Sequence, residues 1–345
     1  MTDPLLEAVL DHDELADLDP AERRLALRSL VAQTGHFADL AGPVSKLADE
    51  IDGYGPISDF MRDPHVTDVL VNGAHEVWVE RAGKIARTDA EFAGDEALRD
   101  FIERWLGGAG VRIDSTHPIA DTRLPDGARM HVVLPPVAPG GPLVSIRRFS
   151  HRPLGTQDLI RAGTLTSSEA TFLVWCVRRR ATLAISGETG AGKTTLLNAL
   201  LAHVGGSERV VTIEETPELR PACAHAVSLV ARGPNVEGRG YVGLPGLVRA
   251  ALRMRPDRIV VGEVRGAEAL TALGAMATGH RGSMVTLHAG SGRDAVERMT
   301  VLALEASSGA SEVSLRRRVT DALDFVIHLE RRDGTRRLAE VFAVG

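Results

Sequence analysis

Gly187-Glu188-Thr189-Gly190-Ala191-Gly192-Lys193-Thr194 decides how this chain is read. Three glycines lead into a lysine and a threonine, an apolar run at residues 182–186 precedes them, and residues 194–203 carry a helical pattern. Glycines let backbone N–H groups turn inward around phosphate oxygens, and a helix that begins at Gly192-Lys193 aims its positive end at the same point. The spacing predicts a strand, a phosphate-binding loop and a helix. Lys193 would reach the terminal phosphates, Thr194 would offer its hydroxyl to Mg²⁺, and Thr195 would close the cradle.

The pattern around the loop repeats strand and helix. Residues 169–179 read as a helix, 210–214 as a strand, 247–254 as a helix, 258–262 as a strand, a helix starts near Ala267, and 283–288 read as a strand. Such alternation predicts a mainly parallel sheet covered on both faces, hence an α/β nucleotide-binding domain over residues 158–345. The glycine-rich stretch 233–246 reads as a long mobile loop.

Upstream the texture differs. Asp19-Pro20-Ala21-Glu22 has the form of a helix start, with Asp19 as N-cap and Glu22 as its reciprocal partner; Leu27, Leu30 and Val31 share one face of the helix, which stops near Gly35. Residues 1–50 read as an acidic helical arm, either a docking element or a mobile extension. From Tyr54 short β-branched runs appear: residues 66–71 and 76–80 flank Asn72-Gly73, a hairpin signal, and Gly83 marks the next turn. An amphipathic helix at 95–106 and strands at 128–134 and 143–149 complete a smaller α+β domain over residues 53–149, with residues 150–157 as a linker.

Composition narrows the function classes. The net charge of −6 is concentrated in residues 1–50, which hold 11 acidic and 4 basic residues, so the remainder sits at +1. That balance, with 3 tryptophans and 2 tyrosines, is not the basic, aromatic-rich surface expected of a nucleic-acid binder. The longest apolar runs, such as 172–177, are core-sized, and the acidic N-terminus has no hydrophobic signal core behind it, so neither a spanning helix nor export is expected. Two cysteines, Cys176 and Cys223, read as buried thiols of a reducing cytoplasm.

Three further stretches carry chemistry. In residues 252–265 a buried strand leads to Glu263, where one carboxylate would stand beside the metal and the water that attacks a γ-phosphate. In Thr212-Ile213-Glu214-Glu215 two carboxylates end a parallel strand and so face the ligand crevice. Glu214 is the candidate that polarises the water, and Glu215 the alternative in the metal shell. In residues 278–289, His280 and His288 are eight apart, too far for the four-residue spacing of a helical zinc pair; an imidazole near a γ-phosphate would instead sense hydrolysis.

Together these stretches resemble the Walker A, Asp, Walker B and His boxes of the type II/type IV secretion ATPase superfamily, and the resemblance runs from about residue 53 to the C-terminus. Arg265 is followed by Gly266 where much of the superfamily has Arg-Asp, which is similar to the tight-adherence (Tad) pilus branch. Gly53-Tyr54-Gly55-Pro56, residues 66–73, Arg123-Leu124-Pro125-Asp126-Gly127-Ala128-Arg129 and Pro234-Asn235-Val236-Glu237-Gly238 point the same way. The Asp box here has Glu214-Glu215 where Glu-Asp is more usual.

The resemblance implies a RecA-like motor domain, ATP and Mg²⁺ as cofactors, and phosphate-contacting arginines from the smaller domain at Arg129 and the Arg147-Arg148 pair, with Arg123 a weaker match. It also implies a ring, most often a hexamer. The ring would be peripheral to the inner face of the cytoplasmic membrane and would drive a platform protein that adds pilins to a fibre or removes them. A nucleic-acid translocase of a conjugation-like system and a nucleotide-binding scaffold without turnover are the rival readings.

Overall fold

A computed structural model of the chain describes residues 12, 15, 18–33, 40–81, 83–148, 154–233, 239–332 and 334–344. It divides into two compact units, Met1–His151 and Arg152–Gly345.

The first unit opens with helix α1 (Pro20–Gln33). Asp19 Oδ1 accepts the N–H groups of Ala21 and Glu22 at 2.8 and 2.9 Å, and Glu22 reaches back to the Asp19 N–H at 3.4 Å, so the reciprocal cap forms. The helix end near Gly35 and most of residues 1–17 lie outside the described residues. A helix the periodicity does not announce, α2 (Ala41–Ile51), packs on α1. Leu27 and Val31 meet Val44 and Leu47 in a small apolar cluster, and Arg23 ties to Asp52. This part of the acidic segment is thus a packed helix pair.

Helix α3 (Ser58–Arg62) leads to strands β1 (Val66–Asn72), β2 (Val77–Arg81) and β3 (Lys84–Arg87), then helix α4 (Asp95–Gly108) and strands β4 (Ile119–Arg123), β5 (Arg129–Val133) and β6 (Leu143–Arg147). They form an antiparallel sheet in the order β3-β2-β1-β6-β5-β4. Its alternating buried residues, among them Val69, Val71, Val77, Met130, Val132 and Ile146, pack on Leu98, Phe101, Ile102 and Leu106 of α4. Gly73, at φ +70°, and Gly83, at φ +79°, occupy the expected turns.

The second unit starts within the residues read as a linker, because α5 (Thr156–Arg161) already includes Thr156 and Gln157; residues 150–153 lie outside the described set. Then come α6 (Ser167–Arg178), β7 (Leu183–Gly187), α7 (Lys193–Leu201), β8 (Val210–Glu214), β9 (Ala226–Val230), α8 (Leu244–Ala251), β10 (Arg258–Val264), α9 (Glu268–Ala277), β11 (Met284–Leu287), α10 (Gly292–Glu305), α11 (Glu312–Ala322) and the pair β12 (Phe325–Arg332) and β13 (Thr335–Ala343). The sheet order is β13-β12-β7-β11-β10-β8-β9, parallel throughout except that β13 runs against β12.

Both faces of that sheet are covered, which is why its central strands read as unbroken apolar runs. Leu183, Ile185, Val260 and Met284 face the side of α5, α6 and α7; Ala184, Ile259, Val261 and Val285 face α8, α9, α10 and α11. The middle of the glycine-rich stretch, residues 234–238, lies outside the described residues. Among the described residues no helix is long and apolar enough to cross a membrane.

Candidate functional site

The site lies where β7, β10 and β11 end on the same edge of the parallel sheet, the edge at which such sheets bind ligands. β7 ends at Gly187, whose φ is +148° and where a methyl group would fall 2.3 Å from the Leu329 carbonyl oxygen. Only glycine fits there, so the chain can turn beside β12 into the loop. Gly192, at φ +97°, is the N-cap of α7, and Lys193 and Thr194 form the first turn. Ala191 is buried beneath the loop, while Glu188 and Thr189 are exposed at its tip.

Lys193 is 7% exposed, and its Nζ donates to the carbonyls of Gly187 and Glu188 at 2.9 Å each. Burial pushes its ammonium below the ordinary lysine value, against the attraction of Glu263. Nζ also lies 3.4 Å from Nδ1 of His288, whose Nε2 lies 2.6 Å from Oε1 of Glu263. The other oxygen of Glu263 accepts from Arg265 Nη2 at 2.6 Å, and Arg265 Nη1 stands 3.9 Å from Glu215. Lys193, His288, Glu263, Arg265 and Glu215 therefore form one chain of charges at the mouth of the loop.

Glu214, the sequence's candidate for polarising the water, is instead buried with Oε1 accepting the N–H groups of Glu218 and Leu219, both at 2.9 Å, so it holds the segment after β8. Asn198 of α7 ties to the same segment, donating to Glu218 O at 3.1 Å and accepting the Arg220 N–H at 2.7 Å. A methyl group at Gly262 would lie 2.8 Å from Glu214 Cγ, so the absence of a side chain on β10 is what admits this carboxylate. Thr286 donates to the Gly262 carbonyl and locks β11 to β10 at that level.

His280 is not brought to this site. It precedes β11, with Nδ1 3.0 Å from the Ala275 carbonyl, whereas His288 follows β11. About 13 Å of extended strand separates the two ends. Glu263, read as ending its strand, lies inside β10, which continues to Val264.

In the first unit the candidate arginines fall into one row. Arg123 pairs with Arg129 across β4 and β5, Arg129 with Arg147 across β5 and β6, and Arg147 with Asp68 of β1. Directly opposed residues share a face, so the three guanidinium groups stand on one exposed surface. Asp121 accepts from Arg129 Nη2 at 2.9 Å. Arg148 differs: its Nη1 donates to the carbonyls of Phe60 at 3.0 Å and Val66 at 3.1 Å, and to that of Asp63, which makes it a fastening of the turn before β1.

Several site residues were not singled out from the sequence. Arg265 could have been, since it follows Glu263 by two positions at the end of the same extended run and so is placed to reach its carboxylate. Asn198, Gly262 and Thr286 carry no such signal, because they act through contacts far apart in the chain. The same holds for Arg336 of β13, whose Nε donates to the Gly190 carbonyl at 2.9 Å.

Comparison with known proteins points to one family. Residues 50–336 match the family described as type II/IV secretion system protein. A putative conjugal transfer protein of Mycobacterium tuberculosis is 41% identical over 305 residues, covering 86% of this chain and 85% of that protein. Conjugal transfer protein TrbB of Rhizobium radiobacter is 32% identical over 288 residues, covering 82% and 84%. The crystal structure of the pilus retraction motor PilT with bound ADP matches at a TM-score of 0.60 over 83% of this chain and 81% of that one; at 20% identity this likeness speaks for the fold.

Proposed function

The chain belongs to the type II/IV secretion system protein family, and from that premise we propose that it is an ATP-hydrolysing motor that powers a Tad-type pilus or a related secretion machine. The observation that carries this reading is the junction of Lys193, His288 and Glu263 at the end of a glycine loop that only glycine can form.

Each residue has a chemical part. Lys193 exchanges two backbone carbonyls for the β- and γ-phosphate oxygens, and the N–H groups of residues 188–195 line the cradle. The donor set suits Mg²⁺, which takes one or two protein oxygens and keeps its waters: Thr194 offers a hydroxyl, Glu263 or Glu215 a carboxylate, and among the described residues no cluster of three or more His, Cys, Asp or Glu side chains forms a closed cage. Held by these oxygens, Mg²⁺ would supply positive charge against the phosphates. Glu263 orients the attacking water. Glu214 positions the segment after β8 that faces it, and His288 registers loss of the γ-phosphate through its contacts with Glu263 and Lys193. Arg129 and Arg147 are proposed as phosphate-binding arginines, since guanidinium forks suit phosphate oxygens.

The working form in this proposal is a homo-oligomeric ring, a hexamer by family likeness, at the inner face of the cytoplasmic membrane, driving a platform protein. A second reading, nucleic-acid translocation, is favoured by one observation: several of the relatives are named conjugal transfer proteins. The near-neutral charge beyond residue 50 speaks against it. Turnover of the purified protein with and without single-stranded DNA separates the two. The motor reading expects a rate indifferent to DNA, and stimulation by DNA would replace it with the translocase.

A further inference from the structure

The β12–β13 pair carries arginines that the attack on the γ-phosphate does not use, one of which nonetheless holds the phosphate loop. Arg331 and Arg336 are directly opposed in the ladder, so their side chains share a face. Among the described residues neither forms an ion pair with a carboxylate, and both are exposed. Two like charges set opposite each other destabilise a ladder unless an anion lies between them.

The location says which anion. β7 lies between β11 and β12 in the sheet. On the β11 flank stand His288 and Glu263, with Lys193 Nζ 3.4 Å from the imidazole, so that flank takes the terminal phosphate. On the β12 flank a methyl group at Gly190 would lie 3.7 Å from Arg331 Nη1, one at Gly192 would lie 3.2 Å from Arg336 Cδ, and Arg336 Nε donates to Gly190 O at 2.9 Å. An extended nucleotide with its terminal phosphate on the first flank carries its α-phosphate and nucleoside toward the second. A planar guanidinium can both pair with a phosphate oxygen and lie on the face of a purine.

We propose that Arg331 and Arg336 form the nucleoside end of the nucleotide site, neutralising the α-phosphate and stacking on the base. This rests on the nucleotide reading of the glycine loop. Arg336 fixes the loop at Gly190 while presenting its Nη groups, and Arg331 supplies the second guanidinium. Arg337 is the internal control, because it lies opposite Glu330 in the neighbouring register row and so on the other face of the ladder.

The test is calorimetric titration of the full-length protein with Mg-ADP and with Mg-tripolyphosphate, which has the phosphate chain and no nucleoside. Wild type is compared with Arg331→Ala, Arg331→Gln, Arg336→Gln and Arg337→Ala, each shown by melting to be folded. The expected result for both Arg331 variants is roughly tenfold weaker ADP binding with tripolyphosphate binding unchanged, Arg337→Ala resembling wild type. Unchanged ADP affinity in the Arg331 variants overturns the proposal. So does an equal loss for both ligands, since the arginines would then act on the loop alone. Wild type that binds neither ligand would instead remove the nucleotide reading beneath it.

Discussion

The imidazole of His288 bridges the two charges that matter most, with Nε2 2.6 Å from the carboxylate of Glu263 and Nδ1 3.4 Å from the ammonium of Lys193. Facing an ammonium, Nδ1 is the unprotonated nitrogen, which leaves the proton on Nε2, beside the Glu263 carboxylate. Burial and the Lys193 charge lower the pKa of His288, while Glu263 pulls the other way.

The first prediction follows from that sign. The neutral ring is favoured in the folded state, so its contribution is complete above the ordinary imidazole value of about 6.5 and is lost as pH falls through the depressed midpoint. The ring is 40% exposed, so the contribution to stability is small. Following the His288 ring resonance against pH should place its midpoint below about 6.5, and Lys193→Met should raise it. A midpoint above that of a free imidazole would mean that Glu263, and not burial, controls the ring.

A second prediction concerns the close approach at β10. Gly262→Ala puts a methyl group 2.8 Å from Cγ of Glu214, a side chain that two backbone N–H groups hold in place. Denaturant melts should show a loss of about 1–3 kcal/mol, and turnover should fall with it. Gly274→Ala, in α9 where no atom outside its own helix turn lies within 4 Å of the added carbon, is the comparison and should gain roughly 0.5–1 kcal/mol. Equal behaviour of the two variants would show that Glu214 moves aside freely.

Adjacent arginines should separate in a third experiment. Arg148→Ala strips partners from the carbonyls of Phe60, Asp63 and Val66 and should cost about 1–3 kcal/mol of stability. Arg147→Ala, on the exposed face, should stay within about 0.5 kcal/mol while lowering ATP turnover. If Arg147→Ala leaves turnover intact, the arginine row has no part in the chemistry.

The parts legible in the sequence share a local signal. The run from Leu183 through the glycines to α7 is announced by burial on both faces and by backbone demands that only glycine meets, and the turn after Asn72 by the same dihedral argument. The C-terminal strands are not legible that way. β12 has a buried start, Val326 to Leu329, interrupted by His328 and running out into Glu330-Arg331-Arg332, and β13 is an edge strand with Arg336 and Arg337 exposed and no apolar run. β9 and β4 are edge strands too, with few buried positions. At the site, Lys193 and Glu263 follow from motif spacing. The misplacement of His280 arises because two histidines close in sequence were set at opposite ends of one parallel strand, a separation that spacing alone does not reveal.

The most direct test of the central claim is Mg²⁺-dependent ATP turnover by the purified protein and by Glu263→Gln, with nucleotide affinity measured on both. The account predicts that wild type turns over and that Glu263→Gln loses about 10²–10⁴-fold in rate while still binding ATP. Unchanged turnover in the Glu263→Gln variant would contradict it, since the carboxylate beside His288 would then not be the one that serves the attacking water.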